Sequence, residues 1–141
     1  MNQEDLIEEY LKKSKTIAVV GCSSDTNRTS RRIAGYLKKA GFRILPVNPN
    51  EDKILGEHVY NAVQEIPENI QVDIVNIFRN NKYTADMVRD AVDRFGDSES
   101  KPLIWAQLNV SSEEAMELAR ENGFPYIKNR CIYVEHRDGN F

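Results

Sequence analysis

Five short runs of apolar residues punctuate the chain, at 16–20, 43–47, 71–78, 103–106 and 124–127. They lack the polar alternation of a half-exposed strand, and unbroken apolar character suits strands covered on both faces, as inside a parallel sheet. The intervening segments repeat instead at helical spacing. Leu6, Ile7, Tyr10 and Leu11 mark one side of 3–13, with acids early and lysines late as the helix dipole favours. Ile33, Ala34, Tyr36, Leu37 and Ala40 do the same from 31 onward, with Gly41 as the stop. Met87, Val88, Ala91, Val92 and Phe95 define a helix over 83–95. Ala115, Met116, Leu118 and Ala119 define another, capped by Ser111 or Ser112 and ended by Asn122-Gly123.

Strands that alternate with helices without an internal repeat or linker predict an α/β chain with a parallel sheet. The expectation is a Rossmann-like three-layer sandwich, a five-stranded parallel sheet in the order 3-2-1-4-5 with helices on both faces. It forms one domain over 1–141, an N-terminal helix within 1–14 and a core over 16–137. In that order the switch point lies between strands one and four, which sets the Gly21 turn beside Gln107 and Asn109. Residues 51–60 read as a polar loop with an extended piece at His58-Val59-Tyr60, and 62–66 as a short helix stopped by Pro67. The stretch 96–102 is the most loop-like, and periodicity leaves 129–137 open between helix and strand.

The chemistry concentrates after the first strand, where Gly21-Cys22-Ser23-Ser24 leads through Asp25-Thr26-Asn27-Arg28 to Thr29-Ser30 and a helix. A buried strand that stops at glycine and enters a helix makes a phosphate cradle, because glycine lets a ligand approach the backbone and a helix N-terminus stabilises an anion. Ser23, Ser24, Thr26, Thr29 and Ser30 add hydroxyls and Arg28 a fixed charge. There is no G-x-G-x-x-G, and a sharp turn with capping hydroxyls accounts for the same residues. At the end of strand two, where a dinucleotide fold places an acid against the ribose, stands Asn48-Pro49. A neutral Asn tolerates a phosphorylated ribose and leans away from NAD, while Asn-Pro is also an ordinary turn. Arg79 follows Phe78 at the carboxyl end of strand three, where it serves either an anionic ligand or a surface ion pair. Cys22 has the setting of a thiol with a depressed pKa, or that of a small buried side chain. His58 and His136 have no acid or nucleophile arranged beside them, and with Cys22 and Cys131 they match no metal-ligand spacing, so no catalytic or metal residue is assigned.

A formal charge of −3 over 141 residues argues against a nucleic-acid partner. No apolar run reaches the ~18 residues of a membrane span, and the N-terminal residues lack a basic secretory region. Two distant cysteines fit a reducing, cytoplasmic setting.

An ordered set of short motifs adds to this reading: Gly21-x-Ser23, Arg28-x-Ser30, Tyr36-Leu37-x-x-x-Gly41, Pro46-Val47-Asn48-Pro49, Leu55-Gly56, Phe78-Arg79, Trp105-x-Gln107 and Asn129-Arg130-Cys131-x-x-x-Glu135-His136. Over 16–137 it resembles the small, stand-alone coenzyme A (CoA) binding Rossmann proteins of the YccU-like type, akin to the CoA-binding domain of the succinyl-CoA synthetase α subunit. The resemblance implies CoA or acyl-CoA as ligand and a non-catalytic or regulatory module, with no assigned protein partner. It places the phosphate turn on Gly21, Ser23, Ser24, Arg28 and Ser30, the nucleoside edge on Asn48 and Pro49, and the third-strand end on Phe78 and Arg79. Two positions depart from the pattern, Asn109 where glycine is common and Thr29 where proline is. The spacer 97–101 is also longer than usual. The alternatives are an NAD(P)-linked oxidoreductase and a scaffold with a vestigial nucleotide pocket. The CoA ligases that share this fold carry their phosphorylated histidine and nucleotide-grasp domain outside the CoA-binding unit.

Overall fold

A computed structural model describes residues 1–139 and 141. Its elements are α1 (Gln3–Lys13), β1 (Thr16–Val20), α2 (Thr29–Lys39), β2 (Arg43–Val47), β3 (Lys53–Ile54), β4 (Glu57–His58), a 3-10 turn at Val63–Glu65, β5 (Ile74–Ile77), α3 (Asn81–Phe95), β6 (Leu103–Ala106), α4 (Glu113–Glu121), β7 (Tyr126–Ile127) and α5 (Ile132–Asp138). The undecided segment near the end is therefore helical, and the short helix expected over 62–66 is a single 3-10 turn. Helix α2 begins two residues earlier than its apolar stripe, because Arg28 is extended and the helix starts at once after it.

The expected α/β sandwich with a five-stranded parallel sheet is what the chain forms. All five residues of β1 are buried, as its unbroken apolar sequence requires. Its side chains alternate between two cores. Ala18 and Val20 join Leu45, Val75, Ile77 and Ile104 beneath α3 and α4, whereas Ile17 and Val19 join Ile44, Ile74 and Trp105 beneath α1, α2 and α5. Among the described residues no helix is long and apolar enough to cross a membrane.

The strand order differs from expectation. The sheet runs β2-β1-β5-β6-β7, so the five main strands follow 2-1-3-4-5 rather than 3-2-1-4-5. The reason lies in the connection after β2. Tyr60 makes a parallel bridge to Val47, its N–H donating to the Pro46 carbonyl and its carbonyl accepting the Asn48 N–H. The β3–β4 hairpin precedes it, turned by Leu55 and Gly56 at φ 55° and 74°, the pair of positive φ values that a type I′ turn needs. The outer edge of β2 is thus occupied, and β5 pairs on the free side of β1. The switch point moves with it, to β1 and β5.

That correction displaces Gln107 and Asn109, which follow β6 and stand two strands from β1. Gln107 is 5% exposed, and its Oε1 accepts the Ile132 N–H at 2.9 Å and Asn76 Nδ2 at 3.2 Å. Trp105 Nε1 donates to the Arg130 carbonyl at 2.9 Å. The Asn109 N–H donates to Asn129 Oδ1, both residues being left-handed. The Trp-x-Gln and Asn-Arg-Cys motifs therefore meet each other and hold the start of α5.

Candidate functional site

The parallel register opposes Val20 to Val47 on one side and to Ile77 on the other. Three strands thus end at one level, and the residues that follow them, Gly21, Asn48 and Phe78, emerge together. The Gly21 N–H donates to the Val47 carbonyl and the Phe78 N–H to the Val20 carbonyl, each at 2.9 Å. Gly21 has φ +83°, a conformation L side chains rarely adopt. A Cβ there would lie 2.9 Å from Arg79 Cδ and 3.1 Å from Cγ. The absent side chain is the space through which the stem of Arg79 passes.

Side chains shape the turn beyond Gly21. The Ser23 N–H donates to Ser30 Oγ at 3.0 Å, which leaves the Ser30 proton free to be given to a ligand. Ser23 Oγ accepts the Asp25 N–H, and Asp25 accepts the N–H groups of Asn27 and Arg28. Arg28 is the N-cap of α2 but supplies no side-chain cap, and the first turn of the helix has no acid. The leading amides of α2 therefore keep the unpaired donors of a helix start. Asn48 holds the two loops together, its Nδ2 donating to the Cys22 carbonyl at 2.8 Å and its Oδ1 accepting the Asn50 N–H at 2.9 Å.

The resulting groove is lined by Gly21, Ser23, Arg28, Thr29 and Ser30 on one bank and by Asn48, Phe78, Arg79, Asn80 and Tyr83 on the other. Among the described residues, its lining has two arginines and no carboxylate. Neither guanidinium makes an ion pair or a hydrogen bond among the described residues; Arg79 is half-buried with its charge over the Tyr83 ring, 5.0 Å from the centroid. A half-buried cation without a partner leaves a strong, forked donor unsatisfied. On the other side of Arg79 lies a mostly apolar hollow of about 100 Å³ walled by Val20, Val47, Pro49, Ala62, Val63 and Met87, with Asn61 and Asp90 as its polar members. Gly21 and Arg79 border both spaces.

Of the expected site residues, Gly21, Ser23, Arg28, Ser30, Asn48, Phe78 and Arg79 converge on the groove, and Pro49 on the hollow. Ser24 points away, its Oγ donating to Glu51 Oε1 at 2.9 Å. Gln107 and Asn109 lie elsewhere, as described above. Cys22 is fully buried, and burial pushes its thiol up to about 11, with Glu51 adding to the rise and Arg31 opposing it. The helix-terminus argument for a depressed pKa is overridden because the side chain turns into the core, among Ile17, Val19 and Ile33, while only the backbone faces the turn. His136 accepts or donates at Tyr36 Oη, 2.8 Å from Nδ1, and His58 packs on Tyr60, so neither histidine joins the groove.

Sequence reasoning missed Tyr83, Asn80 and most of the walls of the hollow. A signal for the first two was present: Asn80 accepts the Lys82 N–H as the N-cap of α3, and a helix starting there puts Tyr83 on its first turn, above Arg79. The hollow brings together residues far apart in sequence, and no local pattern marks it.

The fold and this cationic sheet edge define a Rossmann-like α/β protein. Its family profile, described as CoA binding domain, matches residues 15–137, and the chain belongs to that family. It is 37% identical over 130 residues to YneT of Bacillus subtilis, covering 92% of this chain and 91% of YneT. A protein of known structure from Pyrococcus horikoshii OT3 superposes with a TM-score of 0.86 at 32% identity, over 97% of this chain and 91% of that one. The α subunit of an ADP-forming acetate–CoA ligase from Pyrococcus furiosus is 24% identical over 142 residues, which span 94% of this chain and 30% of the subunit.

The thiols give a direct check of this geometry. At pH 8 in the folded protein, Cys22 stays protonated and buried and resists iodoacetamide, while the half-buried Cys131 reacts first. Peptide mass spectrometry before and after denaturation reads the order; faster labelling of native Cys22 would contradict the burial described.

Proposed function

We propose that this chain binds CoA or acyl-CoA as a non-catalytic or regulatory module. The observation that carries the reading is the pair of unpartnered arginines, Arg28 and Arg79, on a carboxylate-free groove around the Gly21 turn. The diphosphate would lie over Gly21 and the first turn of α2, where backbone donors, the Ser30 hydroxyl and the two guanidinium groups meet. The nucleoside would lie toward Pro49, with its base directed to the apolar hollow, where Asp90 and Asn61 supply polar edges. Among the described residues Tyr83 is the other titratable side chain on the groove, so the groove offers binding groups rather than an acid–base pair. The family match and the likeness to the CoA ligase subunit support the same ligand.

Two outcomes follow for the isolated chain. CoA raises the thermal midpoint more than NAD at equal concentration, since a ligand bound only by the folded state stabilises it by mass action; an equal or larger shift with NAD would reverse the assignment. Arg79→Ala weakens CoA binding by about 1–3 kcal/mol in calorimetry, the range for a lost charge-assisted hydrogen bond, while circular dichroism stays unchanged. Undiminished affinity would make Arg79 a surface charge only.

A further inference from the structure

The apolar hollow bordered by Arg79 carries one carboxylate in its lining. Its walls are the ends of β1 and β2 at Val20 and Val47, Val63 of the 3-10 turn and Met87 of α3. Beside Arg79, its polar members are Asn61, which is exposed, and Asp90, which is half-buried. Met87 and Asp90 stand three residues apart on α3, so they share a helix face and reach the hollow together. Met87 offers apolar surface to the flat side of a ring, and Asp90 an acceptor at the ring's edge.

Asp90 is held in place but not neutralised. Its Oδ1 accepts Gln64 Nε2 at 2.9 Å, a contact that ties α3 to the 3-10 turn. Among the described residues the other oxygen has no hydrogen-bond partner, and the carboxylate joins no ion pair. The arginines of α3 are engaged elsewhere. Arg89 pairs with Asp86 and Glu114, and Arg94, one turn beyond Asp90, donates to the Ile66 and Pro67 carbonyls. Arg79 sets its charge over the Tyr83 ring. An ionised carboxylate only accepts, so the free oxygen of Asp90, on the wall of an apolar space, calls for an N–H or O–H donor from whatever fills that space.

We infer that Asp90 reads the base, its free oxygen accepting the exocyclic amino group of an adenine seated in the hollow. The inference deepens the proposed binding of a CoA-type ligand and rests on it. Groove and hollow share Gly21 and Arg79, so a diphosphate on the Gly21 turn leaves its nucleoside beside the hollow. Adenine carries one exocyclic donor, the 6-amino group, whereas guanine has a carbonyl acceptor at that position. A single donor matches a carboxylate with one oxygen already committed to Gln64, and a 6-carbonyl would be repelled by it. A purine without the amino group leaves the carboxylate unpaired against an apolar ring, and a site built to hydrogen-bond a ligand N–H rejects the analogue that lacks it.

Isothermal titration of the full chain with CoA, and with the CoA analogue whose purine lacks the 6-amino group, tests this in the parent protein, Asp90→Ala and Asp90→Lys. The parent is expected to bind CoA about tenfold more tightly than the analogue, the scale of one hydrogen bond to a charged acceptor. In Asp90→Ala the preference collapses, because CoA weakens and the analogue does not; alanine is the best helix former, so α3 is kept. Asp90→Lys, whose ammonium opposes the amino group, turns the preference toward the analogue. No preference in the parent, or the same preference in the parent and Asp90→Ala, would remove Asp90 from the base and leave CoA binding standing. Binding of neither ligand to the parent chain would remove the proposed function and this inference with it.

Discussion

The site depends on one close approach, the stem of Arg79 lying across the backbone of Gly21. Parallel pairing makes it possible, because Val20 is in register with both Val47 and Ile77, so the chain leaves three adjacent strands at the same height. Glycine suits position 21, where φ is +83° strains any L side chain and a Cβ would displace the stem of Arg79. The consequence is a guanidinium fixed between a polar groove and an apolar hollow, close to the open first turn of α2. Such an arrangement combines a helix terminus, a forked cation and a dry wall, which are the elements an anionic nucleotide needs.

The loops around this contact are stiffened by the protein's own hydrogen bonds. Asn48 holds the Cys22 carbonyl, Ser30 holds the Ser23 amide and Ser24 holds Glu51. Each ties the turn after β1 to a neighbouring element, so the cradle is shaped before any ligand arrives, and less ordering has to accompany binding. The opposite end of the sheet uses the same device for another purpose. There Gln107 accepts the Ile132 N–H, Trp105 donates to the Arg130 carbonyl and Asn129 accepts the Asn109 N–H, so these polar groups hold the start of α5 and the loop before it.

Much of this was legible in the sequence because local rules govern it. The five apolar runs and the helical stripes mark the strands and helices, and Gly21 between strand and helix marks the cradle. Arg79 was legible too, since the end of a buried parallel strand lies at the sheet edge where ligands bind. Strand order was not, because it turns on the Tyr60 bridge to Val47, a single contact across a polar loop. That error carried Gln107 and Asn109 into the expected site. Cys22 is a position where spacing left two readings open, because it places a residue near a helix start without saying whether its side chain faces the turn or the core; the buried reading is the one the structure bears out.

The most direct measurement is CoA titration of Gly21→Val, with Gly21→Ala as the milder replacement, each shown by circular dichroism to be folded. The account predicts that the valine variant loses measurable binding and the alanine variant is weakened, because each added Cβ displaces Arg79 and strains a left-handed backbone. A folded Gly21→Val protein that binds CoA as the parent does would contradict it.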